Sequence, residues 1–142
     1  DSQGLVPFTY DVREVTKHLA TMEVGMQTPL NHFVDLVMRV DSVDQLSIQS
    51  GPNYGSLYLQ IAGVDMDGAA VGPLRLWNHV LGDVQVQRIC ILRGLRVAPE
   101  KIWNGEKYVN DRDGAKQLDS DARTAIEDVS HIPEIANYFR WI

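Results

Sequence analysis

Cysteine is almost absent from this chain: Cys90 stands alone among 142 residues. That excludes an internal disulfide and any cysteine-rich zinc site, and it suits a reducing compartment. Long apolar runs are missing too, since none approaches the ~18 residues that a membrane-spanning helix needs. The four histidines, His18, His32, His79 and His131, are scattered, with none at metal-ligand spacing from another. There is no phosphate-cradling glycine loop and no nucleophile elbow. "DMDG" (65–68) and "DRDG" (111–114) resemble calcium loops. Their remaining ligand positions, however, fall on Gly63 and Leu74 in one and on Val109 and Ser120 in the other. Both read as turns. With no cofactor, metal or catalytic centre called for, a non-enzymatic role is expected.

What is present is a composition of 44% apolar and 23% charged residues, that of an ordinary soluble globular protein. A length of 142 residues fits one domain able to bury a real core. The chain opens at Asp1 with no signal-peptide pattern, and we expect a single domain over 1–142 excised from a longer chain. The net charge of −6 argues at first against a polyanionic partner. Its distribution argues otherwise. Between Arg75 and Tyr108 six cations (Arg75, Arg88, Arg93, Arg96, Lys101, Lys107) face three acids (Asp83, Glu100, Glu106), giving +3 and leaving −9 elsewhere. Local charge governs a ligand, because salt screens beyond roughly 8 Å.

Val12, Val15, Leu19 and Met22 share one stripe of a helix over 11–22, capped at Thr9 or Asp11 and ended by Gly25 and Pro29. Residues 33–41 alternate, with Val34, Leu36, Met38 and Val40 facing one way and Asp35 and Arg39 the other. A loop at 50–56 leads to a strand over 56–64 with Leu57, Leu59 and Ile61 inward. After a turn at 65–69 a third strand runs over 71–77. "VQRICILRGLRV" (86–97) is apolar on both faces around Cys90, as a bent and largely buried strand would be, with Gly94 relieving the bend. Asn104-Gly105 is a two-residue hairpin signal, returning the chain through 106–109. The pattern then weakens into an acidic run, with one more strand piece near Thr124–Val129 and Pro133 opening a closing helix over 133–142. Short strands, a helix at each end and no βαβ rhythm predict an all-β fold with flanking helices, a small barrel over about 33–129.

Arg75 and Trp77 lie two apart in a strand, opposite in sense to Leu74 and Leu76. Taken alone, the pair reads more simply as a half-buried tryptophan with an arginine laid over it. Trp103, between Lys101 and Lys107 and near Arg96, supplies a second aromatic with its own cations. Aromatics interleaved with cations are what sequence-tolerant binding of a single strand requires, since every base has a face to stack.

In order along the chain stand Asp67-Gly68, Leu76-Trp77, Arg93-Gly94-Leu95-Arg96-Val97, Trp103-Asn104-Gly105, Ile132-Pro133-Glu134 and Trp141. With this succession the chain resembles the single-stranded-DNA-binding OB domains of the replication protein A large subunit, most closely its second tandem domain. The likeness covers nearly the whole chain; each motif is short, and their order carries the specificity. It implies a five-stranded OB-fold barrel between an N-terminal and a C-terminal helix. It also implies stacking on Trp77 and Trp103, and contacts from Arg96 and Arg75, beside which Lys101, Lys107 and Tyr58 complete the expected site. No cofactor is implied. The expected partners are single-stranded DNA, neighbouring OB domains of the same chain and other subunits of a heterotrimer, in replication, repair or recombination in the nucleus, with no membrane. Two features depart from the family. "SIQSGPNYGSLYL" (47–59) contains no Lys or Arg where a basic loop is usual, leaving Tyr54 and Tyr58 either to stack or to pack. The run from Asn110 to His131 is longer and more acidic. An OB fold kept for protein contacts, or a meiotic or telomeric paralogue, are the alternatives.

Overall fold

The alternation over 33–41 brings Val34, Leu36, Met38 and Val40 together in the principal core of the computed structural model. Described are residues 19–77, 79, 81–106, 108–110, 114–121 and 123–139, with the backbone alone at Trp103 and Tyr108. The four core residues belong to β1 (Phe33–Ser47), which runs well past its expected end at Asp41. Its second half pairs antiparallel with β2 (Leu57–Asp65), and β2 pairs with β3 (Ala70–Trp77). Its first half pairs with β4 (Ile89–Pro99). β5 (Lys101–Trp103) and β6 (Tyr108–Asn110) form a separate hairpin. Along the far edge of β4 lie β7 (Lys116–Asp119), against Arg96–Pro99, and β8 (Ala125–Asp128), against Cys90–Arg93.

The large sheet therefore runs β3-β2-β1-β4-β7, with β8 also on β4, six strands in all. It is antiparallel throughout, in keeping with an all-β fold, and among the described residues it does not close into the expected five-stranded barrel. Among the described residues no backbone ladder joins the two edges, β3 and β7. The Ser120 hydroxyl spans the gap instead, donating to the Arg75 carbonyl (2.6 Å) and accepting from the Trp77 amide (3.0 Å). One side chain thus does at this seam what a ladder does elsewhere.

β4 is buried on both faces because it has a core on each. Cys90, Leu92, Leu95 and Val97 join the principal cluster; Ile89 and Ile91 join a second one with Leu19, Val37, Val129, Ile135 and Phe139. The second cluster is covered by α2 (Pro133–Ala136) and the 3-10 turn Asn137–Phe139. Each such side chain, fully buried, contributes roughly 1.5–3 kcal/mol. This second core corrects the reading of β1 as one-sided: Val37 is fully buried, and Asp35 is only 3% exposed.

The expected bend falls at Gly94. Val34 pairs with Leu95 but Leu36 with Leu92, so β4 carries one extra residue there, and Gly94 takes φ +79°. A second irregularity places the extra Asp41 of β1 opposite Gly63 and Ala62. There the strands approach so closely that a Cβ on Gly63 would overlap the Arg39 carbonyl oxygen.

The first helix departs from expectation. Leu19 and Ala20 are not helical: Ala20 bridges to Leu36, and its amide donates to the Asp35 carbonyl (2.9 Å). The helix α1 (Met22–Gln27) starts after Thr21, whose hydroxyl accepts from the Val24 amide (3.2 Å). Gly25 does not end it but sits buried inside it, facing the Leu118 side chain. Leu57, expected inward, is 53% exposed, because it pairs with Ser47 beyond the point where the core ends. The expected helical residues 11–18, with His18, and the residues 140–142 of the closing helix, with Trp141, lie outside the described residues.

Two substitutions test these contacts by urea denaturation. Gly63→Ala is expected to lose at least ~2 kcal/mol, since backbone and not a flexible side chain blocks the new methyl. Ser120→Ala is expected to lose about 1–3 kcal/mol, because it leaves the Trp77 amide without its partner. Faster hydrogen exchange at that amide would localise the effect to the seam.

Candidate nucleic-acid interface

The period of two in β3 keeps its promise: Leu74 and Leu76 are buried, while Arg75 is exposed and Trp77 half-buried on the opposite face. Register then decides what they meet. Tyr58 of β2 lies directly opposite Trp77, and Gln60 opposite Arg75. The Tyr58 and Trp77 rings stand 4.7 Å apart between centroids, tilted by 46°. The Arg75 guanidinium carbon sits 5.9 Å from the centre of the Tyr58 ring, a cation–π distance. Leu46 of β1 pairs with Tyr58 on the other side and is 38% exposed. The outer face thus carries an apolar row, Leu46–Tyr58–Trp77, across three strands about 4.8 Å apart.

Beside this row the seam between β3 and β7 opens into a cleft of about 480 Å³. Arg75, Trp77, Glu100, Lys101, Lys116 and Asp119 line it. Lys101 is held by both ends: its amide donates to Gln117 Oε1 (3.1 Å), and its ammonium donates to Asn110 Oδ1. Lys116 Nζ donates to the Thr28 carbonyl (2.8 Å).

Arg96 stands on β4 between Phe33 and Asp119 in register. It donates from Nη1 to Asn31 Oδ1 (3.1 Å), and its Nη2 lies 3.6 Å from Asp119 Oδ2. It reaches the cleft only through that carboxylate. Asp119 is 24% exposed; burial pushes its carboxyl above the usual range, and Arg96, Arg75 and Lys101 pull it partly back. The structure therefore brings Tyr58, Arg75, Trp77, Lys101 and, through Asp119, Arg96 to one place.

Trp103 ends β5 opposite Tyr108. The connection is four residues long, not the expected two. Gly105 takes the positive φ (+101°), whereas Asn104 accepts from the Glu106 amide with its side chain (2.9 Å). Lys107 lies outside the described residues. Tyr54 is 71% exposed in the loop without cations, whereas Tyr58 makes the tilted ring pair with Trp77.

Two cations of the positive segment are committed within the fold. Arg88 pairs with Asp128 (2.7 Å), and Arg93 pairs with Glu127 (2.7 Å) and the buried Asp35 (3.6 Å). Cys90 is 2% exposed, and burial pushes its thiol up to about 11, which leaves it unreactive at neutral pH. Asp65 of "DMDG" is saturated as a turn staple, its carboxylate accepting from the amides of Met22, Asp67 and Ala69. Gly114 is the described residue of "DRDG"; the other three lie outside.

Leu46, Lys116, Asp119 and Ser120 join the site without having been singled out in the sequence. For Leu46 a signal existed, the continued alternation of β1 past Asp41. For the other three it did not, because β7 lies in a polar run with one buried apolar residue, Leu118. Neither family models nor curated proteins give a match to this chain.

Proposed function

We propose that this chain is a non-enzymatic OB-type domain that binds single-stranded DNA with little sequence preference, related to the replication protein A large subunit. The observation that carries the reading is the Tyr58–Trp77 pair with Arg75 over it, set on the outer face beside a cleft lined by Lys101 and Lys116. Bases stack on the row from Trp77 towards Leu46, and Trp103 serves as the second platform. Each stacked base contributes ~1–3 kcal/mol, and no base edge is read, so preference among sequences is weak. Phosphates run over the cleft towards Arg75 and Lys101. On this reading the open sheet is an OB barrel whose last seam is left to Ser120, which keeps the cleft accessible. Nuclear replication, repair or recombination is the setting, with neighbouring OB domains raising avidity through effective concentration.

Intrinsic tryptophan fluorescence tests this directly. Oligo-dT at low salt should quench the parent chain, and duplex DNA should not. Trp77→Ala should weaken oligo-dT binding about tenfold, and Trp77→Ala with Trp103→Ala further still. With two or three phosphates neutralised, log affinity should fall against log salt with a slope of about −2. A double variant that binds as well as the parent removes the stacking model. A slope implying six or more phosphates removes the proposed path.

A further inference from the structure

Asp119 is a carboxylate placed among the cations of the interface. It is reached from three strands: by Arg96 of β4 at 3.6 Å, and electrostatically by Arg75 of β3 and Lys101 of β5. It lines the same cleft as Arg75 and Lys101. Glu100 and its own strand's Lys116 also face that cleft, and α1 contributes the uncharged Met22. We propose that Asp119 is a built-in competitor of the nucleic-acid phosphate, holding the cations that the backbone of a bound strand must recruit. This rests on the single-strand-binding reading of the same cleft and adds an affinity-setting residue to it.

The physical argument is local. A phosphate brought to Arg75 and Lys101 meets a fixed negative charge that is three-quarters covered, where screening by salt is weaker than on an open surface. Either the strand approaches against that repulsion, or Arg96 and its neighbours leave Asp119 and expose a desolvated carboxylate. Both lower affinity. The direction of the Asp119 titration agrees: burial already favours its neutral form, with Arg96, Arg75 and Lys101 opposing. As pH falls through that raised value the carboxylate is neutralised, its hold on the cations ends, and binding of a strand strengthens. Thymine and phosphodiester do not titrate in that range, so oligo-dT isolates the protein's contribution.

The test is Asp119→Asn against the parent chain with oligo-dT, at fixed low salt, from pH 7.5 down through the acidic range. Asp119→Asn is expected to bind roughly two- to fivefold more tightly at neutral pH, the scale of one partly exposed ion pair. It should also lose most of the parent's rise in affinity on acidification. Asp119→Glu, which keeps the charge, should behave as the parent does, and circular dichroism should report the same fold for all three. If the parent binds and Asp119→Asn binds equally or more weakly, the competitor role is overturned while the binding reading stands. If neither chain binds at any pH, both are overturned.

Discussion

The bulge at Gly94 is the constraint from which the rest of the arrangement follows. Its amide donates to Asp35 Oδ1 (2.8 Å), and the neighbouring Arg93 guanidinium lies 3.6 Å from the same carboxylate. Both charged groups are nearly buried, and burial pulls Arg93 below its ordinary value while Asp35 partly restores it. Removing Asp35 leaves Arg93 to Glu127 and takes the acceptor from the Gly94 amide, at a cost of about 1–3 kcal/mol for the unmet donor. The bulge divides β4 into a segment that takes β8 and a segment that takes β7. By turning the second segment, it delivers Asp119 and Ser120 to the edge of β3. Thr124 fastens the connecting loop, its hydroxyl donating to the Gly94 carbonyl (3.3 Å).

On the proposed reading, interface and seam are one feature. A complete ladder between β3 and β7 would leave no cleft; a gap without a partner would leave buried amides unsatisfied. Ser120 resolves the conflict with a single hydroxyl, and the cleft opens beside it. The charge pattern obeys the same economy. Arg88 and Arg93 are paired with acids of β8, whereas Arg75, Lys101 and the Arg96–Asp119 pair stand at the cleft. The +3 segment read from composition thus overstates the charge displayed to a ligand. That is why a modest and salt-tolerant grip is the natural expectation.

Periodicity made the outer face legible, since Leu74 and Leu76 fix by alternation where Arg75 and Trp77 point. The two-sided burial of β4 and its bend at Gly94 were legible for the same reason: apolar residues occupied both phases. Partners distant in sequence were not. Ser120 meets Trp77 across 43 residues, and nothing in a polar run with one buried leucine marks β7 as a strand. Gly25 does not mark the end of its helix, because a helix interior tolerates glycine at a cost of ~1 kcal/mol. The Asn-Gly turn was correctly a hairpin but wrongly two residues long, as the Asn104 side chain supplies its own turn.

The most direct test of the proposed single-strand path is amide and indole chemical-shift mapping of the isotopically labelled chain on addition of oligo-dT. Binding across the outer face and seam predicts shifts grouped at Leu46, Tyr58, Arg75, the Trp77 indole, Lys101 and Asp119, with the second core around Ile135 and Phe139 undisturbed. Shifts confined to the α2 and β8 side, or none at saturating oligonucleotide, would contradict it.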